Sequence, residues 1–124
     1  MLNERSLKTL QGVHPDLVKV VHKADAITDL EFLIVDGVRD KKRQRELVAA
    51  GASTTLRSRH LTGHAIDFMP VVNGEVSGKW PAYWPIVEAF EKAAKELAIS
   101  IECGARWKKF PDGGHVQLTW KAYP

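Results

Sequence analysis

His60, Asp67 and His115 read together as a metal-ligand set in this 124-residue chain. Imidazole nitrogen and carboxylate oxygen are good zinc ligands, and three of them leave a fourth tetrahedral position for water. An open position separates a catalytic zinc from a structural one. His60 and His64 form a second candidate pair, but four-apart histidines share a metal well on a helix, and Thr62-Gly63 disfavours one here. In a strand that starts at His64, alternation also points His64 and Asp67 to opposite faces. The residues taken alone allow a plainer reading too. The chain has five histidines, so surface histidines and a salt-bridging Asp67 fit the same spacing.

The elements that would hold these residues follow from capping and periodicity. Asn3 or Ser6 caps a short first helix that turns Leu7, Leu10 and Val13 inward. Pro15 opens a second helix with an apolar face of Leu17, Val18, Val20, Val21 and Ala24, and His22 lies on its surface or half-buried. A strand is expected over residues 30–35. A charged helix follows over 41–50, with Gln44, Leu47 and Val48 available to the core and Gly51 at its end. Residues 52–61, with Ser53, Thr54, Thr55 and Ser58, show no period and read as a loop. Residues 64–69 alternate as a strand, and Asn73-Gly74 suits a hairpin turn between Val71-Val72 and Glu75-Val76. The strongest helix, over 81–97, carries Trp84, Ile86, Val87, Phe90, Ala93, Ala94 and Leu97 on one broad face. Strands over 99–103 and 115–120 flank a loop over 104–114. The order predicts a small α+β domain over residues 1–124, with a mixed, mainly antiparallel sheet and helices packed on one face. Neighbouring strands lie about 4.8 Å apart, so the strands bearing Asp67 and His115 bring all three ligands together if they are neighbours.

The run Ser58-Arg59-His60-Leu61-Thr62-Gly63-His64-Ala65-Ile66-Asp67 resembles the Ser-x-His-x-x-Gly-x-Ala-x-Asp signature of zinc peptidases that cut bacterial cell-wall peptides. That family includes D-Ala-D-Ala carboxypeptidases and dipeptidases, and phage endolysins with L-alanyl-D-glutamate endopeptidase activity. It shares its fold with the hedgehog signalling domain. Asp112-Gly113-Gly114-His115 resembles the family's second motif, an acid three residues before the last histidine ligand, and the likeness spans about residues 4 to 120. The resemblance implies one Zn²⁺ per chain on His60, Asp67 and His115, with Asp112 as the catalytic acid and Ser58 supporting the site. An aspartate at 112 is shorter than the glutamate of many relatives, so its loop must bring it nearer to the water. Gly37-Val38-Arg39 resembles a segment whose arginine lies beside the substrate and the developing oxyanion. By residue type alone, Arg39 would be an ion-pair partner of Asp36 or Asp40. The chain departs from many relatives at Asp36-Gly37-Val38-Arg39, where they have Ser-Gly-Tyr-Arg, and at Gly114, where they have proline.

Other residues could meet a substrate. Trp107 either lines a peptide groove or anchors a long loop in the core, and Arg59, Arg106, Lys108 and Lys109 are further candidate cations. Trp80 and Tyr83 could contact the wall, whereas Trp84 fits the core. The lone Cys103 excludes an intrachain disulfide and reads as inert core. Eighteen basic against fifteen acidic residues leave a net charge of +3, too small to mark a nucleic-acid binder but suited to an anionic wall. No apolar run nears the roughly 20 residues of a membrane span, and polar Met1–Arg5 is not followed by a signal-peptide core. The expected protein is a monomer without stable membrane association. It would wait in the host bacterial cytoplasm until a holin or its equivalent admits it to periplasmic peptidoglycan. Gly37-Val38-Arg39, Gln44 and Gly51-Ala52-Ser53 resemble the endolysin-like members and favour the L-Ala–D-Glu bond. The alternatives are a D-Ala-D-Ala carboxypeptidase or dipeptidase, and a non-catalytic zinc-stabilised binding module.

Overall fold

The computed structural model describes residues 1–53 and 58–124, so Thr54 and Thr55 of the expected loop lie outside the described residues. Its first helix, α1 (Glu4–Thr9), starts where the Asn3 side chain accepts a hydrogen bond from the Ser6 backbone N–H at 2.8 Å. Leu10 and Val13 are buried as expected, but Leu7 is 45% exposed, and Ser6 takes the inward position instead. The reason is an edge strand, β1 (Glu31–Asp36), which needs a partner: the Ile34 N–H donates to Ser6 Oγ at 3.0 Å. Helix α2 (Pro15–Ile27) has proline at its start, and the His14 ring accepts from the Asp16 N–H. His22 is exposed on it.

Helix α3 (Lys41–Ala49) is capped by Asp40, strand β2 runs over Ala65–Val72, and β3 is the short Glu75–Val76. Between β2 and β3, Asn73 (φ +52°) and Gly74 (φ +81°) make the expected turn, with Val71 opposite Val76. Both residues take the positive φ that a type I′ hairpin turn demands. Helix α4 (Trp80–Leu97), strand β4 (Ile101–Cys103) and strand β5 (His115–Leu118) complete the order. The strands lie in the order β1-β2-β5-β4, with β3 paired to β2, and each of these pairings is antiparallel. The last part of the loop expected over 52–61 falls in one 3₁₀ turn, Arg59–Thr62.

Alternation along the strands sorts the sheet into two faces. Phe32 and Ile34 on β1, Ile66 and Phe68 on β2, and Val116 and Leu118 on β5 are all buried in the core cluster with α2 and α4. Phe32, Phe68 and Phe90 meet ring to ring, with centroids 5.3–5.9 Å apart. Truncating a buried phenylalanine of this kind costs about 3–5 kcal/mol. The opposite face carries Asp67, His115, Gln117 and Glu102, so the core holds the polar face rigid from behind.

Gly63 and Gly104 are among the glycines whose close approaches a side chain would block. Gly63 (φ +75°) ends the 3₁₀ turn in the left-handed region, where a Cβ would lie 2.6 Å from the Gly12 carbonyl oxygen. At Gly104 a Cβ would lie 2.6 Å from the Asp112 carbonyl oxygen and 2.9 Å from His115 Cβ, so this glycine seats the start of β5.

Two tests follow from this packing. Gly104→Ala should lower unfolding free energy by about 1–3 kcal/mol, the usual cost of overpacking, as read by denaturant titration; unchanged stability contradicts the close approach. Burial, reinforced by the nearby Glu91 charge, pushes the Cys103 thiol up to about 12. A thiol reagent at about pH 8 should therefore spare Cys103 in the folded chain and label it once unfolded. Labelling at the same rate in both states would show the thiol is accessible.

Candidate metal centre

The site is built by cross-strand register. Asp67 on β2 pairs directly with His115 on β5, so both side chains leave the same face of the sheet as neighbours. Past a bulge in β1, Asp36 stands opposite Asp67 on the other side. Glu102 on β4 stands opposite Gln117 on β5, two residues beyond His115 and so on the same face. His60 comes from the 3₁₀ turn, where Ser58 Oγ accepts from the His60 N–H at 3.1 Å. The turn is held to the segment before α3 from both ends: the Arg39 N–H donates to the His60 carbonyl at 3.0 Å, and His60 Nδ1 lies 2.7 Å from the Gly37 carbonyl.

These elements bring one ligand atom from each of His60, Asp67 and His115 within 4.8 Å of one another. His60 Nε2 lies 3.1 Å from Asp67 Oδ2, and His115 Nδ1 lies 3.2 Å from Asp67 Oδ1. The donor set fits a zinc ion on a further observation. His60 is 1% exposed, its Nδ1 is taken by a carbonyl, and its Nε2 is buried without a hydrogen-bond partner. A buried lone pair aimed between two other ligands is costly unless something electropositive meets it. His64 is not among the converging residues; its Nδ1 lies 2.6 Å from Thr62 Oγ1, and its ring packs against His14.

Electrostatics hold the cluster together. Desolvation opposes the Asp67 charge, but the hydrogen bond from His115 and the close approach of His60 outweigh it and keep the carboxyl well below the usual range. Arg39 adds a permanent positive charge. It forms the ion pair expected with Asp36 (Nε to Oδ2, 2.6 Å), and it also reaches Asp67 Oδ2 at 3.0 Å and Gln44 at 3.1 Å. Its guanidinium thus bridges two carboxylates that face each other across strands. Asp40, the other expected partner, caps α3 instead. Gln44 is buried as expected, but it spends its amide on Arg39 and Ser53.

Asp112 stands at the rim of a cavity of about 790 Å³ that includes His60, Asp67, His115, Arg39 and Trp107. The residue as a whole is exposed, but its carboxyl is partly desolvated. That desolvation, then the Asp67 charge, raises it above the usual carboxylate range, against the pull of His115. Trp107 is half-buried in the wall, its ring 5.0 Å from His115 and its Nε1–H donating to Glu102 at 3.3 Å. It borders the cavity, and its indole meets His115 and Glu102 on the polar face of the sheet and not the core cluster.

Arg59 also borders the cavity, but its side chain is engaged elsewhere. Its Nη2 donates to the carbonyls of Leu118, Thr119 and Tyr123, and its guanidinium lies over the Trp120 ring at 3.9 Å. Arg106 pairs with Glu91, outside the cavity, while Lys109 borders it. Trp84 and Tyr83 pack against the core, and Trp80 remains 44% exposed. Sequence reasoning passed over Glu102, Gln117 and Trp120. Alternation could have found the first two, since Glu102 lies between inward Ile101 and Cys103, and Gln117 lies two residues past His115.

Comparison with known proteins gives this geometry a family. The phage L-alanyl-D-glutamate peptidase family matches residues 1–119. The L-alanyl-D-glutamate peptidase of Escherichia phage T5 is 36% identical, covering 94% of this chain and 96% of that protein. That of Listeria phage A118 is also 36% identical, over 76% of this chain and 32% of that longer protein. Among solved structures, the L-Ala D-Glu endopeptidase ChiX of Serratia marcescens is 46% identical, with a TM-score of 0.94 over all of this chain and 94% of that one. The vancomycin-resistance D,D-dipeptidase VanXYg shares the fold at 18% identity, with a TM-score of 0.50 over 83% of this chain. The chain belongs to the phage L-alanyl-D-glutamate peptidase family and is an enzyme of the peptidoglycan-peptidase class.

Proposed function

We propose that this chain is a zinc endopeptidase that cuts the L-Ala–D-Glu bond of peptidoglycan stem peptides. The observation that carries the reading is the convergence of His60, Asp67 and His115 with an unpartnered His60 Nε2, beside Asp112. The names of relatives at 36–46% identity over most of this chain support the choice of bond. A zinc ion on these three ligands would polarise the scissile carbonyl and acidify a water at the open position.

The chain's own residues do the rest. Asp112 takes the proton of the attacking water and delivers it to the leaving amine of D-Glu, so its carboxyl must cycle between charged and neutral. The elevated proton affinity of that carboxyl suits the second half of the task. Arg39 holds Asp67 in place and offers its remaining N–H groups to the developing oxyanion or to the free α-carboxylate of D-Glu. Ser58 and Arg59 act from beside His60: Ser58 caps its turn, and Arg59 ties that turn to the C-terminal segment. Trp107 forms one wall of the substrate groove.

The wider biological setting is part of the same proposal. Residues 1–124 act as one catalytic domain, built around the apolar cluster of the described residues. The enzyme works as a monomer, is held in the host cytoplasm, and reaches the wall through a holin-type opening. Among the described residues no helix is long and apolar enough to cross a membrane.

Three measurements test the reading. Purified protein should carry close to one zinc per chain, and His115→Ala should lose most of it; full retention would remove His115 from the ligand set. Asp112→Ala should keep the zinc and lose about 10²–10⁴-fold in hydrolysis, the range for general acid–base groups. Near-normal activity in that variant would place the proton carrier elsewhere. Mass spectrometry of digested Gram-negative peptidoglycan should show peptides beginning at D-Glu, with L-Ala left on the muramic acid. Loss of terminal D-Ala alone from a pentapeptide would instead identify a carboxypeptidase.

A further inference from the structure

The ring of His115 offers two nitrogens, and only one faces the ligand cluster. Its Nδ1 lies 3.2 Å from Asp67 Oδ1, and its Nε2 lies 2.7 Å from Gln117 Oε1. Gln117 Nε2 in turn donates to Glu102 Oε1 at 2.7 Å, and Trp107 Nε1 donates to Glu102 Oε2 at 3.3 Å. Gln117 is 6% exposed and His115 7%, so solvent has little access to these contacts.

The polarity of this chain of bonds is forced from one end. An ionised carboxylate only accepts. Glu102 therefore draws the NH₂ group of Gln117 toward itself and leaves the amide oxygen facing His115. An amide oxygen has no proton to give, so the proton between the two must sit on His115 Nε2. A neutral imidazole protonated at Nε2 has its lone pair at Nδ1, the atom among the ligands. His60 solves the same problem in the opposite sense: the Gly37 carbonyl holds its Nδ1, which leaves Nε2 for the cluster.

We propose that Glu102 and Gln117 are positioning residues that set the tautomer of His115, committing Nδ1 to the metal through a carboxylate–amide–imidazole relay. The proposal rests on the zinc reading above. No bond is made or broken: the relay decides which nitrogen keeps its proton when the other gives one up to a cation. Trp107 belongs to the device because its indole N–H occupies the second carboxylate oxygen. An amide at position 102 would meet two donors with one acceptor, and Gln117 would lose its fixed orientation.

The test is zinc affinity, measured on the full chain by competition with a chromophoric chelator. Glu102→Gln and Gln117→Leu should each weaken binding about 10- to 100-fold, as outer-contact losses do at other metal sites. The swap Glu102→Gln with Gln117→Glu should restore affinity to within about threefold of wild type. In the swap, the carboxylate now at position 117 accepts from His115 Nε2. The amide now at position 102 donates to that carboxylate, while its oxygen keeps the Trp107 N–H. A merely structural role for the pair would not be rescued this way. Single variants that bind like wild type overturn the relay, as does a folded swap variant as weak as the singles. An independent readout needs no variant. In zinc-loaded wild type, ¹H–¹⁵N spectra should show a slowly exchanging proton on His115 Nε2, and a proton on Nδ1 instead overturns the proposal. If wild type binds no zinc at all, the metal reading itself fails and the relay with it.

Discussion

The site depends on placing the Asp67 charge on a sheet face where water is scarce. A half-buried carboxylate is tolerated only when its oxygens are matched by donors and positive charge. Here the match comes from two directions, His115 across one strand pair and Arg39 bridging from Asp36 across the other, while His60 Nε2 approaches from the turn before β2. None of these partners adjoins Asp67 in the chain, so pairing register places them. A slip of one residue in β2 would turn Asp67 into the phenylalanine core and Phe68 out into the site. The apolar face therefore enforces the register that the polar face requires.

That coupling explains why the surroundings are so heavily tied down. The C-terminal segment runs past the 3₁₀ turn and is held there by the Arg59 guanidinium on three carbonyls, with Tyr123 Oη donating to Asp16. Gly63 lets the same turn lie against the loop before α2, where the His14 N–H donates to the Gly63 carbonyl at 2.8 Å. Arg59 and His60 thus divide the turn between them, one side chain facing the scaffold and the other the ligand cluster. Polar groups this buried stabilise a unique arrangement only when fully satisfied. The one partnerless atom in the ligand set, His60 Nε2, is the atom a metal would meet.

Fold and chemistry separate at different distances in the comparisons. The fold is shared with a D,D-dipeptidase at 18% identity, whereas the relatives named for L-Ala–D-Glu cleavage are 36–46% identical. A likeness at 18% identity concerns the fold, and a shared fold does not fix which bond a cavity accepts. In this chain the wall from Trp107 to Gly113 is loop, seated on Gly104 and on Tyr83 beneath Gly113.

Much of this protein was legible in one dimension. Capping residues, proline at helix starts, the Asn-Gly turn and the alternation of β2 and β5 are local, because each follows from the conformational preferences of a few adjacent residues. The residues that converge were legible as well, His60 and Asp67 through a motif whose spacing reflects one turn and one strand, and His115 through a second motif. What only the tertiary structure decided are the contacts between residues far apart in the chain. Ser6 displaced Leu7 from the inward position because an edge strand 28 residues later needed a hydrogen-bond acceptor. Arg39 became a bridge between two carboxylates, and Arg59 a clamp on the C-terminal carbonyls, because strand register set which acceptors lay within reach. Residue type announces that a guanidinium or an amide needs partners. Only packing assigns them, since long polar side chains span several ångströms and choose among all the groups the fold brings near.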